Sequence, residues 1–349
     1  MRVKTTILVI AALAFGSLHS VACPMCLGGR TISISAQELA YAGRSVLALP
    51  DSNGTTFRVV ESIKGDTAPD TVITEKVLKA DPLSVANSRV PLLLIRDDSW
   101  QNWVNFGPVD AARAPELRKF AATTRTTEMD PAEWPAHVAM FLPYIDSPEP
   151  MIATIADAEL SSAPYTALRS LKPRLDATAL RTSLTDPELA SRAPLFIILL
   201  GISGDAQSAQ LFQMRIEEAG LSNDSTHLGP LFAAMLELRG SSYVDWIERN
   251  YLSDPKCSTP EIAAAIGALR EHGEADAAVP RERVVAAFRS YLAANSGKAG
   301  LVARALGDWQ CWEFTPAFET LIASRATLPT SERYAVLDYI IRSREATAK

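Results

Sequence analysis

Apolar and polar residues alternate in short bursts over the first third of the chain, then change to a helical rhythm that holds to the end. Ser45 to Leu49 leads into Asp51-Ser52-Asn53-Gly54, and Phe57 to Ile63 follows with alternating character. Asn-Gly between two such runs signals a hairpin, because the tight turn needs backbone angles that Asn and Gly adopt at little steric cost. Thr71 to Val77 and Val90 to Ile95 add further short runs, so residues 23–112 are expected to form a small antiparallel sheet or barrel.

From about Pro115 the apolar positions recur three, four and seven apart. Val284, Val285, Phe288, Tyr291 and Leu292 make one stripe and Tyr334, Leu337 and Ile341 another, which predicts amphipathic helices that bury those faces. Asp130-Pro131, Asp146-Ser147-Pro148, Asp186-Pro187 and Asp254-Pro255 each stand beside an apolar segment. Asp accepts from the free backbone donors of a first turn and Pro has no donor to waste there, so several of these pairs should mark helix starts. Roughly a dozen helices on short loops predict an array of helical hairpins rather than one bundle. Asp146 and Asp186 lie 40 residues apart, the period of HEAT and armadillo repeats, but Asp254 follows after 68, so the array is degenerate. The expected class is α+β multidomain and mainly α: a β-rich module over 23–112, then a HEAT-like α-solenoid over 113–349.

Residues 1–22 have a basic start at Arg2 and Lys4, an apolar run from Ile7 to Phe15, and small or polar residues through Ala22. That is the layout of a signal peptide, with Ser20 and Ala22 set for cleavage before Cys23. Export follows, to a periplasmic or extracellular site. No later stretch is long and uncharged enough to span a bilayer. Cys23 as first mature residue also raises lipidation, a membrane tether, although Ser20 stands where lipoproteins usually carry an apolar residue. Of the 34 basic residues Arg2 and Lys4 leave with the leader, so 32 face 40 acidic ones and the formal charge moves from −6 to −8. That balance argues against a nucleic-acid partner, which calls for a basic face.

All four cysteines, Cys23, Cys26, Cys257 and Cys311, fall in the mature chain, and an even number in an exported protein points to disulfides. Three pairings are open, of which Cys257 with Cys311 is favoured. The Cys23-Pro24-Met25-Cys26 spacing suits a disulfide, a redox pair or half a metal site. No βαβ context supports redox work, and no second Cys-x-x-Cys or His pair completes a zinc site. A structural disulfide or tether is the preferred reading, with lipidation of Cys23 next.

On these residues the chain resembles exported bacterial helical-repeat proteins that begin Cys-Pro-x-Cys and have no assigned activity. The similar stretches are Phe141 to Tyr144 with Pro148 to Ala153, Ala163 to Tyr165 with Leu171 to Leu175, and Leu199 to Gly201. The resemblance implies export and the helical array. The strand near Tyr41 to Leu49 and the segment Val59 to Gly65, behind a cysteine-first start, are also similar to the netrin-type module of metalloproteinase inhibitors. That implies an OB-like barrel and an N-terminal amine at Cys23 set to chelate a protease zinc. The inhibitors begin Cys-x-Cys and carry further cysteines, which this chain lacks between residues 27 and 256.

Little else carries chemistry. His137, His227 and His272 stand far apart and read as packing or surface residues, and Asp97-Asp98 and Glu217-Glu218 read as solvated pairs. The commonest hydrolase, nucleotide-binding and metalloprotease motifs are missing. Trp309 and Trp312, with Cys311 and Phe314, are candidate binding aromatics that packing explains better. Trp100 and Trp103 either cover the joint between modules or form a binding loop. No catalytic residue, cofactor or metal ligand is assigned. The expectation is an exported, non-enzymatic binding or scaffold protein that presents a helical-repeat surface to a protein or envelope partner. The alternatives are an inhibitor acting through the Cys23 N-terminus and an envelope enzyme with its site between the modules.

Overall fold

A computed structural model describes residues 26, 33–79, 81, 85–86, 88–97, 102–222, 224–274, 278–295, 298–324 and 328–348. The leader, Cys23 and Trp100 lie outside these residues, and with them the expectations of cleavage and lipidation.

Helix α1 (Ala36–Tyr41) opens on a reciprocal cap: Ser35 Oγ accepts from Gln37 N–H at 3.2 Å, and the Glu38 carboxylate accepts from Ser35 N–H at 2.7 Å. Six strands follow: β1 (Arg44–Pro50), β2 (Phe57–Lys64), β3 (Val72–Ile73), β4 (Val77–Leu78), β5 (Leu92–Arg96) and β6 (Trp103–Pro108). They pair in the order β3-β2-β1-β5-β6-β4. The β1–β2 hairpin forms where Asn-Gly placed it. Asp51 closes the turn by accepting from Thr55 N–H at 2.8 Å and Thr56 N–H at 3.2 Å.

The sheet is mixed rather than antiparallel, because β4 runs parallel to β6. Only Thr74, Glu75 and Lys76 separate β3 from β4, yet these strands stand at opposite ends of the pairing order. Four Cα steps reach roughly 13–14 Å at most, so the sheet must curl to bring its two edges near each other. Both faces are covered. Leu47, Ile63, Leu93 and Ile95 enter the main core, while Val46, Ala48, Phe57, Val59, Leu94 and Trp103 close a smaller core inside the curl.

Helices follow from Ala114 onward. Helices α2 (Ala114–Ala121), α3 (Trp134–Phe141), α4 (Pro150–Ser162) and α5 (Tyr165–Arg169) come first. Arg118 of α2 ties back to β2, pairing with Glu61 and donating to the Ser62 carbonyl. Helix α6 (Ala177–Thr185) leads to α7 (Ala193–Ser203), in which every residue from Leu195 to Leu200 is fully buried, so α7 is the hydrophobic axis of this region. A Cβ on Gly201 would lie 2.5 Å from Ala234 Cα, so glycine sets how closely α7 approaches the helix that carries Ala234. That helix, α9 (Leu228–Arg239), is preceded by α8 (Ser208–Ser222) and followed by α10 (Ser241–Ile247), which runs on as a π-helical turn at Glu248–Leu252. Helices α11 (Thr259–His272), α12 (Arg281–Ala294), α13 (Gly300–Asp308), α14 (Thr315–Ala323) and α15 (Thr330–Thr347) complete the chain. One hydrophobic cluster runs from Ile34 to Ile340, so sheet and helices share a core.

Several expectations change here. Asp130 and Asp186 do cap the turns that Pro131 and Pro187 open, but Asp254 only closes a turn on Lys256 N–H. The next helix is started by a capping box at Ser258 and Glu261. In α15 the predicted stripe is not the packed face: Tyr334 is 69% and Ile341 56% exposed and Leu337 is half-buried, while Val336, Tyr339, Ile340 and Ser343 are buried. This helix is apolar on two faces, and periodicity cannot say which one packs. The pairing of Cys257 with Cys311 is overturned: both are free thiols. Cys257 Sγ lies 3.3 Å from the Asn250 carbonyl at the π-helical turn, whereas Cys311 Sγ lies 3.9 Å from the Trp309 carbonyl beyond α13. Cys26 is fully buried and engaged.

Candidate functional site

A groove of about 740 Å³ lies between α8 and α10, floored by α9. One wall is a single face of α8, carrying Gln210, Gln213, Met214 and Glu217 at helical spacing, with Gln207 just before the helix start. The other comes from Tyr243, Trp246 and Arg249, each three residues after the last. Gly240, at φ 58°, makes the tight reversal between α9 and α10 and leaves Arg239 at the groove's end.

Tyr243 and Trp246 stack with ring centroids 5.0 Å apart and planes 13° from parallel, and Trp246 also leans on Tyr251 at 5.7 Å. Tyr243 is 5% exposed, and its hydroxyl has no hydrogen-bond partner. Burial pushes its pKa far up, with Tyr251 and Glu217 adding to the shift, so the group stays a neutral donor with nothing to donate to. Met214 is 55% exposed on the opposite wall. Glu217 accepts from Gln213 Nε2 at 3.0 Å, and Gln207 Oε1 accepts from Arg181 at 3.2 Å. Arg239 and Arg249 are exposed and form no ion pair among the described residues, while the α10 carboxylates Asp245 and Glu248 both face Arg283.

The cleft between sheet and helices, about 410 Å³ beside β6 and the start of α4, is lined mainly by Ile34, Phe106, Pro108, Val109 and Met151. Its polar lining is Ser33, Thr154 and Glu149, and the Glu149 carboxylate already accepts from Asp110 N–H at 3.4 Å. Nothing in it pairs a nucleophile with a base. A third cleft, on the other side of α8, holds Arg215, Glu218, Asp224 and His227. Burial lowers the His227 pKa, with Asp224 opposing and Arg215 assisting, and burial lowers that of Arg215 as well. No group of three or more His, Cys, Asp or Glu that could hold a metal ion occurs among the described residues. No helix there is long and apolar enough to cross a membrane.

Of the aromatics predicted from the sequence, the described ones, Trp103, Trp309 and Trp312, do not line any of these clefts. Trp103 is 2% exposed inside strand β6, so it belongs to the small core and not to a binding loop. Trp309 stacks on Phe288 at 5.9 Å, lies under Arg281, and donates Nε1–H to Glu274 at 2.9 Å. Trp312 is half-buried against Tyr339 at 5.3 Å. The histidines are divided as well: His137 lies 2.7 Å from the Glu159 carboxylate and His272 sits in a buried knot with Tyr165, both inside the core. The groove residues were missed, although Tyr243, Trp246 and Arg249 recur every third residue in the sequence. Glu217 and Glu218, read as a solvated pair, diverge into two different clefts.

Comparison of the chain with family models, with curated proteins and with solved structures finds no match.

Proposed function

We propose that this chain is an exported, non-enzymatic binding protein that receives a partner in the groove between α8 and α10. The observation that carries this reading is the buried, unpartnered hydroxyl of Tyr243, whose ring stacks on Trp246 and whose side chain lines an open groove. Leaving such a donor without an acceptor costs about 1–3 kcal/mol, a cost that a ligand's acceptor would remove. In this reading the signal peptide directs the chain out of the cytoplasm, and Cys23 with Cys26 forms a structural disulfide or a tether at its start. The helices act as a degenerate HEAT-like array, and the curled sheet is an OB-like module related to the netrin type. The likeness to exported helical-repeat proteins beginning Cys-Pro-x-Cys supports the same view.

The test is crosslinking in the cells that export the protein. A photoreactive phenylalanine analogue replaces Met214 in the groove, and in a second variant Val72, exposed on β3. A discrete crosslinked envelope component at position 214 and not at 72 is the expected result. Equal labelling at both positions, or none at 214, would sink the proposal.

A further inference from the structure

We infer that the groove's occupant is an extended peptide segment of a partner protein that carries acidic side chains next to apolar ones. This rests on the binding reading above and adds the ligand's chemical class. Charge gives the first reason. Arg239 and Arg249 bring two exposed guanidiniums to the groove, against one lining carboxylate, Glu217, which Gln213 already engages. The neighbouring acids that would otherwise neutralise them are turned away, since Asp245 lies 2.5 Å and Glu248 2.8 Å from Arg283. Guanidiniums hold carboxylates in a fixed fork, so an acidic segment fits this end of the groove.

The walls give the second reason. Met214, Met235 and Trp246 are adaptable or flat apolar surfaces, suited to gripping aliphatic side chains of varied shape. A primary amide offers two donors and one acceptor group, which matches the donors and acceptors that an extended backbone presents in alternation. Gln207 and Gln213 each have one end committed within the protein, and the Gln210 side chain forms no hydrogen bond among the described residues. The third reason is the Tyr243 hydroxyl, a buried donor without a partner on a groove-lining side chain, which a peptide carbonyl or carboxylate would satisfy once a small shift of the wall opens a path to it. An acidic polysaccharide would also meet the guanidiniums. It has no apolar side chain for the exposed Met214, and so fits one side of the groove and not the other.

Calorimetric titration of the mature chain decides between them. The probes are a blocked peptide of alternating glutamate, leucine and serine, the same peptide with lysine for glutamate, and an oligogalacturonate. The glutamate peptide should bind at least about tenfold more tightly than the lysine peptide, with affinity falling as salt rises. The double variant Arg239→Glu, Arg249→Glu should reverse that preference while melting as the parent does, because both side chains are exposed. Oligogalacturonate binding that Trp246→Ala abolishes, with no peptide binding, would overturn the peptide assignment and leave the groove reading standing. Peptide binding that neither Trp246→Ala nor the double variant alters would overturn the assignment too. If no probe binds, the acidic-peptide class is wrong, and crosslinking at position 214 then says whether the groove itself is used.

Discussion

Two tyrosines in this protein are almost equally buried, Tyr165 at 2% exposure and Tyr243 at 5%, and their hydroxyls have opposite surroundings. That of Tyr165 donates to Glu237 at 3.3 Å and lies 3.2 Å from His272 Nε2, which in turn lies 2.9 Å from the Ala233 carbonyl. Glu237 is itself held by Arg169 at 2.8 Å. This knot joins α5, α9 and α11 with its donors and acceptors matched, apart from His272 Nδ1. The hydroxyl of Tyr243 reaches no acceptor, and the side chain that carries it lines an open groove. A buried polar group with partners holds helices together; one left without a partner beside a cleft is a cost the fold bears and a ligand relieves.

The widest test of that contrast lies where sheet and helices meet. Glu159 of α4, 2% exposed, accepts from Ala36 N–H at 2.8 Å and Gln37 Nε2 at 3.3 Å, and lies 2.7 Å from His137 Nε2. One carboxylate thus ties α1, α3 and α4. Glu159→Ala strands these groups in the core and should cost about 3–5 kcal/mol, read from urea unfolding. Glu217→Ala, on the groove wall, should change stability by less than about 0.5 kcal/mol. Equal losses for the two would remove the distinction between structural and functional polar groups.

The next largest effect belongs to the knot. Tyr165→Phe takes one donor from the buried Glu237 carboxylate and should cost about 1–2 kcal/mol in the same measurement. A neutral result would mean that Arg169 alone satisfies Glu237.

How far the sequence reveals these places depends on the kind of signal. The hairpin, the run that became β5 and the stripe of α12 were legible because turn residues and a single apolar period act locally. Strand β6 was not, since Trp103 to Pro108 contains Asn105 and Gly107 and shows no clean alternation. The buried face of α15 was unreadable because two apolar stripes compete on one helix. Glu159, Glu237 and Tyr243 carry no local mark at all. Their roles depend on groups 123 or 72 residues away in the chain, or on the lack of any. The groove lay between these extremes: its α10 face was visible as a spacing, but only the packing of α8 opposite made it a site.

Adjacent residues at the end of α11 give a pH test of moderate size. Burial pushes the Glu271 carboxyl from an ordinary 4.5 up to about 7, with Arg270 opposing and Glu274 assisting. Burial pulls the His272 imidazole from 6.5 down to about 3, against its contact with the Ala233 carbonyl and with help from Arg169. The raised carboxyl contributes stability that is fully present below about 4.5 and lost as pH rises through about 7. The depressed histidine contributes stability that is present above about 6.5 and lost as pH falls toward about 3. From pH 4.5 to 6.5 the two slopes oppose each other. Glu271→Gln removes one of them, so the melting temperature of that variant should climb more steeply with pH across this window than the parent's. Parallel profiles would show that Glu271 is not held protonated by the fold.

The smallest expected change in stability is the most informative about function. Tyr243→Phe deletes a hydroxyl that has no partner and keeps the ring stacked on Trp246, so it should leave unfolding free energy unchanged or raise it by up to about 1 kcal/mol. The same deletion removes the donor proposed to meet the ligand, so affinity for the glutamate peptide should fall by about 1 kcal/mol, roughly fivefold. Tyr165→Phe should do the reverse, losing stability while peptide binding at the folded chain stays as it was. The pair forms a crossed design in which each variant controls for the other. If Tyr243→Phe destabilises the protein as much as Tyr165→Phe does, its hydroxyl has an acceptor after all, and the groove loses the feature that singled it out from the other clefts.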